Sequence, residues 1–274
     1  MKPPHPSTDA GPVAAPEAAG GPRSDAAASD VVVRLEDVTV CYRVPLETVS
    51  SLKEYVISRL KGKGGNRTHR ALDRVSLEVR SGEVFALVGH NGAGKTTLLK
   101  TVARVLRPTS GRIRVFGRVV PLLQLGAGFH PELTGRENIL LNATLLGHSR
   151  RDTLERLDSI IDFARIGDFI DAPLRTYSSG MAARVGFAVA TAWKPDILIL
   201  DEALAVGDEA FQRTCRERIQ AFRDAGVTVL LVSHGAETVL QMSDRAAWLD
   251  HGTLQAVGEP RDVVRAYKEA MRRR

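Results

Sequence analysis

A chain of 274 residues and 29.7 kDa makes nearly two domains at about 150 residues each, or one large α/β unit with a tail, which excludes a peptide hormone or a disulfide-stapled miniature. Hydrophobic residues at 43% and charged residues at 26% are ordinary globular composition and exclude wholesale disorder. A formal net charge of +6 and a pI near 9.6 suit an anionic membrane face, nucleic acid or a phosphate-bearing ligand, and charge alone does not choose among them.

Residues 1–30, dominated by Ala, Pro, Gly and Ser, hold almost no large apolar side chain and are expected to form a disordered tail. Val31–Leu35 and Val38–Tyr42 read as strands, and Val75–Val79 alternates in the same way. Between them, Ser51–Lys63 places Leu52, Tyr55, Val56 and Leu60 at helical spacing, with Lys53, Arg59, Lys61 and Lys63 around the rest of the wheel. This basic amphipathic helix fits a surface helix over a sheet edge and a membrane-adjacent or partner-facing helix equally. Val84–Val88, Ile197–Leu200 and Val227–Val232 are short apolar runs separated by helical patterns, the order of a mainly parallel sheet covered on both faces. Cys41 and Cys215 lie far apart without metal-ligand spacing, so the cysteines predict neither a disulfide framework nor a zinc site. No run approaches the ~18 apolar residues of a spanning helix and the N-terminus lacks a signal-peptide core, so a cytosolic or membrane-peripheral chain is expected.

Gly89-His90-Asn91-Gly92-Ala93-Gly94-Lys95-Thr96 fits the phosphate-binding P-loop pattern, with a predicted strand before it and the helical run Thr97–Val105 after it. Such glycines let backbone N–H groups approach phosphate oxygens, and the helix N-terminus favours negative charge. Gly89, Asn91, Gly92, Ala93, Gly94, Lys95, Thr96 and Thr97 are therefore the expected nucleotide-binding residues, with Lys95 on the β/γ-phosphates and the Thr96 hydroxyl on Mg²⁺. The run Ile197–Leu200 ends in Asp201 and Glu202. Asp201 is placed to hold the metal and Glu202 to polarise the attacking water.

Tyr177-Ser178-Ser179-Gly180-Met181 stands ahead of the helical run Ala182–Ala192. Alone it reads as an N-cap or as a hydroxyl with backbone amides aimed at a phosphate. Between the P-loop and Asp201-Glu202 it makes the chain resemble the ATP-binding subunits of ABC transporters, whose signature commonly reads Leu-Ser-Gly-Gly-Gln. Ser178 and Gly180 hold the Ser and second Gly positions, while Ser179 and Met181 depart. The resemblance implies an α/β P-loop NTPase (RecA-like) core with a parallel sheet, an N-terminal β subdomain and an α-helical subdomain inserted at about residues 125–186, all within 31–274. It also implies that Ser178, Ser179 and Gly180 contact nucleotide, that Asp208 belongs to the D-loop and that His234 is the switch histidine. Gln124 becomes the Q-loop residue, serving catalysis and metal, and Tyr42 the aromatic stacked on adenine. Without the resemblance, His234 reads as a structural residue at a strand end and Tyr42 as readily as core packing.

The segments SLKEYVISRLKG, LGAGFHPELTGRENI and YSSGM are similar to those of exporters of preassembled polysaccharides: teichoic acid, O-antigen, capsule and galactan. That resemblance covers about residues 31–270. It implies a head-to-tail homodimer holding two ATP with Mg²⁺, a separate transmembrane permease, a lipid-linked polysaccharide substrate, no nucleic acid, and a peripheral position on the cytoplasmic face of the cell membrane. Arg274 follows the last core helix closely, so the C-terminal carbohydrate-binding domain of some O-antigen members is not expected. The alternative is a soluble ABC-type ATPase acting on DNA or the ribosome. The Lys95–Ser178 interval leaves no room for the long coiled coil of DNA-repair members, and one P-loop is fewer than ribosome-acting members generally carry.

Overall fold

A computed structural model of the chain describes residues 30–45, 66–122, 125–201, 207–233 and 235–273. Residues 1–29 of the expected tail, the amphipathic segment Ser51–Lys63, Gln124, Glu202 and His234 lie outside the described residues.

The two strands expected at Val31–Leu35 and Val38–Tyr42 are one strand, β1 (Val31–Pro45), and the Val75–Val79 pattern is the end of β2 (Asn66–Arg80). The polar pair Glu36-Asp37 interrupts the alternation without ending the strand. Asp37 takes a φ of 49° and the register shifts between Leu35 and Val38. This irregularity puts Val33 and Leu35 in phase with Val38 and Val40, so that all four join one core. Ser76 secures it, its Oγ accepting from Asp37 N at 2.9 Å and donating to Asp37 Oδ1 at 3.1 Å. With β4 (Ser110–Val115) these strands form an antiparallel sheet in the order β2-β1-β4.

The second sheet has the order β5-β6-β7-β3-β8-β9, from β3 (Val84–Val88), β5 (Val119–Pro121), β6 (Ile197–Asp201), β7 (Thr228–Val232), β8 (Arg245–Asp250) and β9 (Thr253–Gly258). All its pairings are parallel except β8 with β9. Alternate side chains of the parallel strands enter different cores, which is why these strands read as continuous apolar runs. Phe85, Leu87, Ile197, Ile199, Leu230 and Val232 pack with β1, β2 and helix α1 (Lys95–Val102). From the opposite face, Leu198, Leu200, Val229 and Leu231 pack against Phe187, Phe211, Cys215 and Ile219.

Between β5 and β6 in chain order comes a helical layer: α2 (Gly135–Leu145), α3 (Arg150–Ala164), two short 3₁₀ turns and α4 (Ser179–Ala190). Its core holds Ile139, Leu157, Ile160, Val185 and Val189. Helix α4 faces both ways, giving Phe187 to the sheet core and Val185 and Val189 to the helical one. Among the described residues, three further helices follow, α5 (Glu209–Asp224), α6 (Ala236–Met242) and α7 (Pro260–Arg272). At the entry to the helical layer, the fully buried Asn138 hydrogen-bonds His130 O, Leu133 O and Thr134 O through Nδ2, and its Oδ1 accepts from His130 N at 2.7 Å. Thr134 and Glu137 form a capping box on α2, and the Thr134 backbone N–H bound to the Glu137 carboxylate lowers its pKa.

Helix α4 meets the turn after Gln124 at Gly186, where an added Cβ would lie 2.6 Å from Gly126 N and 3.1 Å from Leu125 C. Gly186→Ala is therefore expected to destabilise the fold by about 1–3 kcal/mol, the usual range for overpacking. Thermal denaturation checks it, and an unchanged Tm would mean that this turn yields freely.

Candidate nucleotide site

The carboxyl ends of β3, β6 and β7 lie in a row, because Val232 pairs with Leu87 on one side and Asp201 on the other. Ligands of open parallel sheets bind at this edge, beyond the strand ends. The loop Gly89–Gly94 leaves β3 there and delivers the chain into α1. Gly94 caps α1 in the left-handed conformation, φ 104°, with no side-chain capping bond. A Cβ at Gly94 would sit 2.5 Å from Ala71 O and 3.0 Å from Leu72 Cδ2, so glycine is required on both counts. With no side chain over the helix start, its first amides can face an anion.

A cavity of about 250 Å³ opens over this loop, lined by Asn91, Gly92, Gly94, Lys95, Thr96 and Thr97, by Asp201 and Val232, and by Tyr42, His69 and Ala71. Lys95 is 6% exposed, and its ammonium donates to Gly89 O at 2.5 Å and His90 O at 2.9 Å. Thr96 is exposed. A hydroxyl and a carboxylate bordering one cavity are an all-oxygen donor pair, the ligand type that suits Mg²⁺. Tyr42 is 37% exposed and its hydroxyl is 3.5 Å from Thr97 Oγ1, so it belongs to the cavity rim and not to the core.

His69 is a lining residue that sequence reading missed. The β1–β2 register places it directly opposite Tyr42, and nothing in the local sequence announces that pairing. Ala93 is buried beneath the loop, its carbonyl accepting from Gly252 N at 2.9 Å.

Ser178 caps α4, its Oγ accepting from Met181 N at 3.2 Å. Among the described residues, the cavity lining includes none of Ser178, Ser179, Gly180 and Asp208. Asp208 caps α5, accepting from Phe211 N at 2.9 Å, and pairs with Arg184 of α4 at 3.0 Å. The Phe211 N–H and then the Arg184 guanidinium hold its carboxyl below the usual range. Cys215 is core, and burial pushes its thiol up to about 12. Among the described residues, no helix is long and apolar enough to cross a membrane.

A parallel sheet with a glycine loop, a buried lysine and a strand-end aspartate around one cavity at its carboxyl edge defines a P-loop nucleotide-binding protein. The sequence profile described as ABC transporter matches residues 72–205. The O-antigen export system ATP-binding protein RfbB of Klebsiella pneumoniae is 45% identical over 246 residues, 88% of this chain and 98% of that protein. ABC transporter protein AbcA of Aeromonas salmonicida is 50% identical over 212 residues, 77% of this chain and 69% of that one. The teichoic acids export ATP-binding protein TagH of Enterococcus faecalis is 41% identical over 206 residues, 75% of this chain but 46% of TagH. The solved dimeric post-hydrolysis state of the ATP-binding cassette MJ0796 bound to ADP and Pi superposes with a TM-score of 0.64 at 20% identity, covering 83% of this chain and 98% of that one, a likeness of fold. The chain belongs to the ABC transporter ATP-binding family, and it is an ATP-binding ATPase subunit.

Proposed function

We propose that this ATPase powers export of a lipid-linked polysaccharide through a separate transmembrane permease, working as a peripheral homodimer on the cytoplasmic face of the cell membrane. The observation that carries the nucleotide part is the single cavity shared by Lys95, Thr96 and Asp201. Lys95 and the N-terminal amides of α1 would hold ATP phosphates, Thr96 and Asp201 would hold Mg²⁺, and Tyr42 with His69 would border the base. Bound Mg²⁺ would neutralise charge on the β- and γ-phosphates. Glu202, directly after Asp201, would take the proton of the attacking water, with Gln124 and His234 orienting it.

Ser178–Gly180 begin a helix and are not among the residues lining the cavity of their own chain, which supports their use in trans, each ATP lying between one protomer's P-loop and its partner's signature segment. The helical subdomain, about 125–186, would carry that segment. A small cavity lined by Val105, Leu125, Gly126 and Leu146, with exposed Leu145 beside it, supports docking of the permease beyond Gln124. Similarity to the RfbB and TagH proteins supports the cargo class.

The test is to tag the chain, solubilise membranes gently and identify co-purifying proteins by mass spectrometry, with Lys95→Ala as the control for ATP-dependent association. A stoichiometric multi-span protein is expected. Ribosomes or DNA without a membrane subunit would overturn the export reading in favour of a soluble ABC-type ATPase.

A further inference from the structure

His90 stands at the start of the glycine loop, and Asp250 and His251 form the turn from β8 into β9. One ligand atom from each lies within 4.8 Å of the other two. His90 Nε2 is 3.0 Å and His251 Nδ1 3.1 Å from the same oxygen, Asp250 Oδ1, and the imidazole centroids are 4.6 Å apart. His90 Nδ1 is 2.6 Å from Asn91 O. A carbonyl only accepts, so Nδ1 carries the proton and a neutral ring presents a lone pair at Nε2. That Nε2 is buried, has no aligned hydrogen bond, and confronts a carboxylate oxygen. A proton on Nε2 or a metal cation between the two atoms would satisfy that contact. His251, with a side chain 69% exposed, can carry its proton on Nε2 and offer Nδ1.

The backbone holds these groups in place. Gly252 N donates to Ala93 O at 2.9 Å and Asp73 N to Gly252 O at 2.8 Å, pinning the turn between the glycine loop and β2. His251 has a φ of 46°, a conformation few non-glycine residues adopt.

We propose that His90, Asp250 and His251 form a binding site for a borderline-soft divalent ion such as Zn²⁺, separate from the Mg²⁺ expected at Thr96 and Asp201. Two imidazole nitrogens select Zn²⁺, Ni²⁺ or Cu²⁺ over Mg²⁺, and three protein ligands leave a fourth position for water. Bonds of about 2.0–2.1 Å in a tetrahedral site set ligand atoms about 3.3 Å apart, so the two contacts to Asp250 would lengthen by a few tenths of an ångström, while the imidazole nitrogens, within 4.8 Å of each other, would settle to the same spacing. A bound ion would tie the glycine loop to the β8–β9 turn through side chains as well as backbone.

The experiment is equilibrium dialysis of the metal-stripped, nucleotide-free full chain against Zn²⁺ in excess Mg²⁺, with bound metal counted by mass spectrometry. The expected result is about one tightly held equivalent per chain, with affinity at least about tenfold weaker in His251→Asn and in His90→Gln, tenfold being the lower end of what loss of a mere outer-shell partner costs. Asn tolerates the left-handed backbone at 251, and His90→Gln carries the same reading should the turn variant fail to fold. Absence of a tight equivalent in the wild type, or equal uptake by a folded variant, would overturn the site and leave an ordinary His–Asp pair. The readout is metal uptake, so it stands apart from the fate of the export proposal.

Discussion

Glu202→Gln is expected to bind ATP as the wild type does while turnover falls by about 10²–10⁴-fold, the usual contribution of a positioned general base. Asp201 ends β6, pairs with Val232 and borders the cavity where the γ-phosphate is proposed to lie, and Glu202 follows it in sequence. The amide keeps the size of the carboxylate but cannot take a proton from water. Nucleotide binding and steady-state phosphate release, measured on one preparation, separate the two effects. Near-normal turnover would remove Glu202 from the chemistry.

Lys95→Ala is expected to weaken ATP binding by about 10- to 150-fold, the equivalent of about 1.5–3 kcal/mol for a lost charge-assisted hydrogen bond. The Lys95 ammonium donates to Gly89 O and His90 O across the loop. The same cation is proposed to turn to phosphate, so its loss removes both a staple and a ligand contact. Lys95→Met, which retains an apolar stem, separates packing from charge. Calorimetric titration should give weak binding for both variants, with a smaller fall in Tm for Met than for Ala. Wild-type affinity in Lys95→Met would falsify the phosphate role.

The chemistry of the site is largely legible in the chain. Gly94, Lys95 and Thr96 lie within one turn of backbone, so their spacing alone carries their geometry, and the apolar strand before Asp201 states that the carboxylate stands at a strand end. Other features stay hidden because they depend on long-range pairing. Asp37 reads as a break between two strands, yet β2 and β4 hold the chain extended across it and use the irregularity to keep Val33, Leu35, Val38 and Val40 on one face. His69 reaches the cavity only through its register with Tyr42.

By itself, the sequence determined the P-loop class, the order of motifs and the buried character of the parallel strands, since each follows from local backbone geometry or from apolar runs. The tertiary structure alone decided which strand ends share an edge, that Tyr42 lines a cavity, and that His90 meets Asp250 and His251. Those contacts join residues far apart in the chain, and strand order and register bring them together where no local pattern records them.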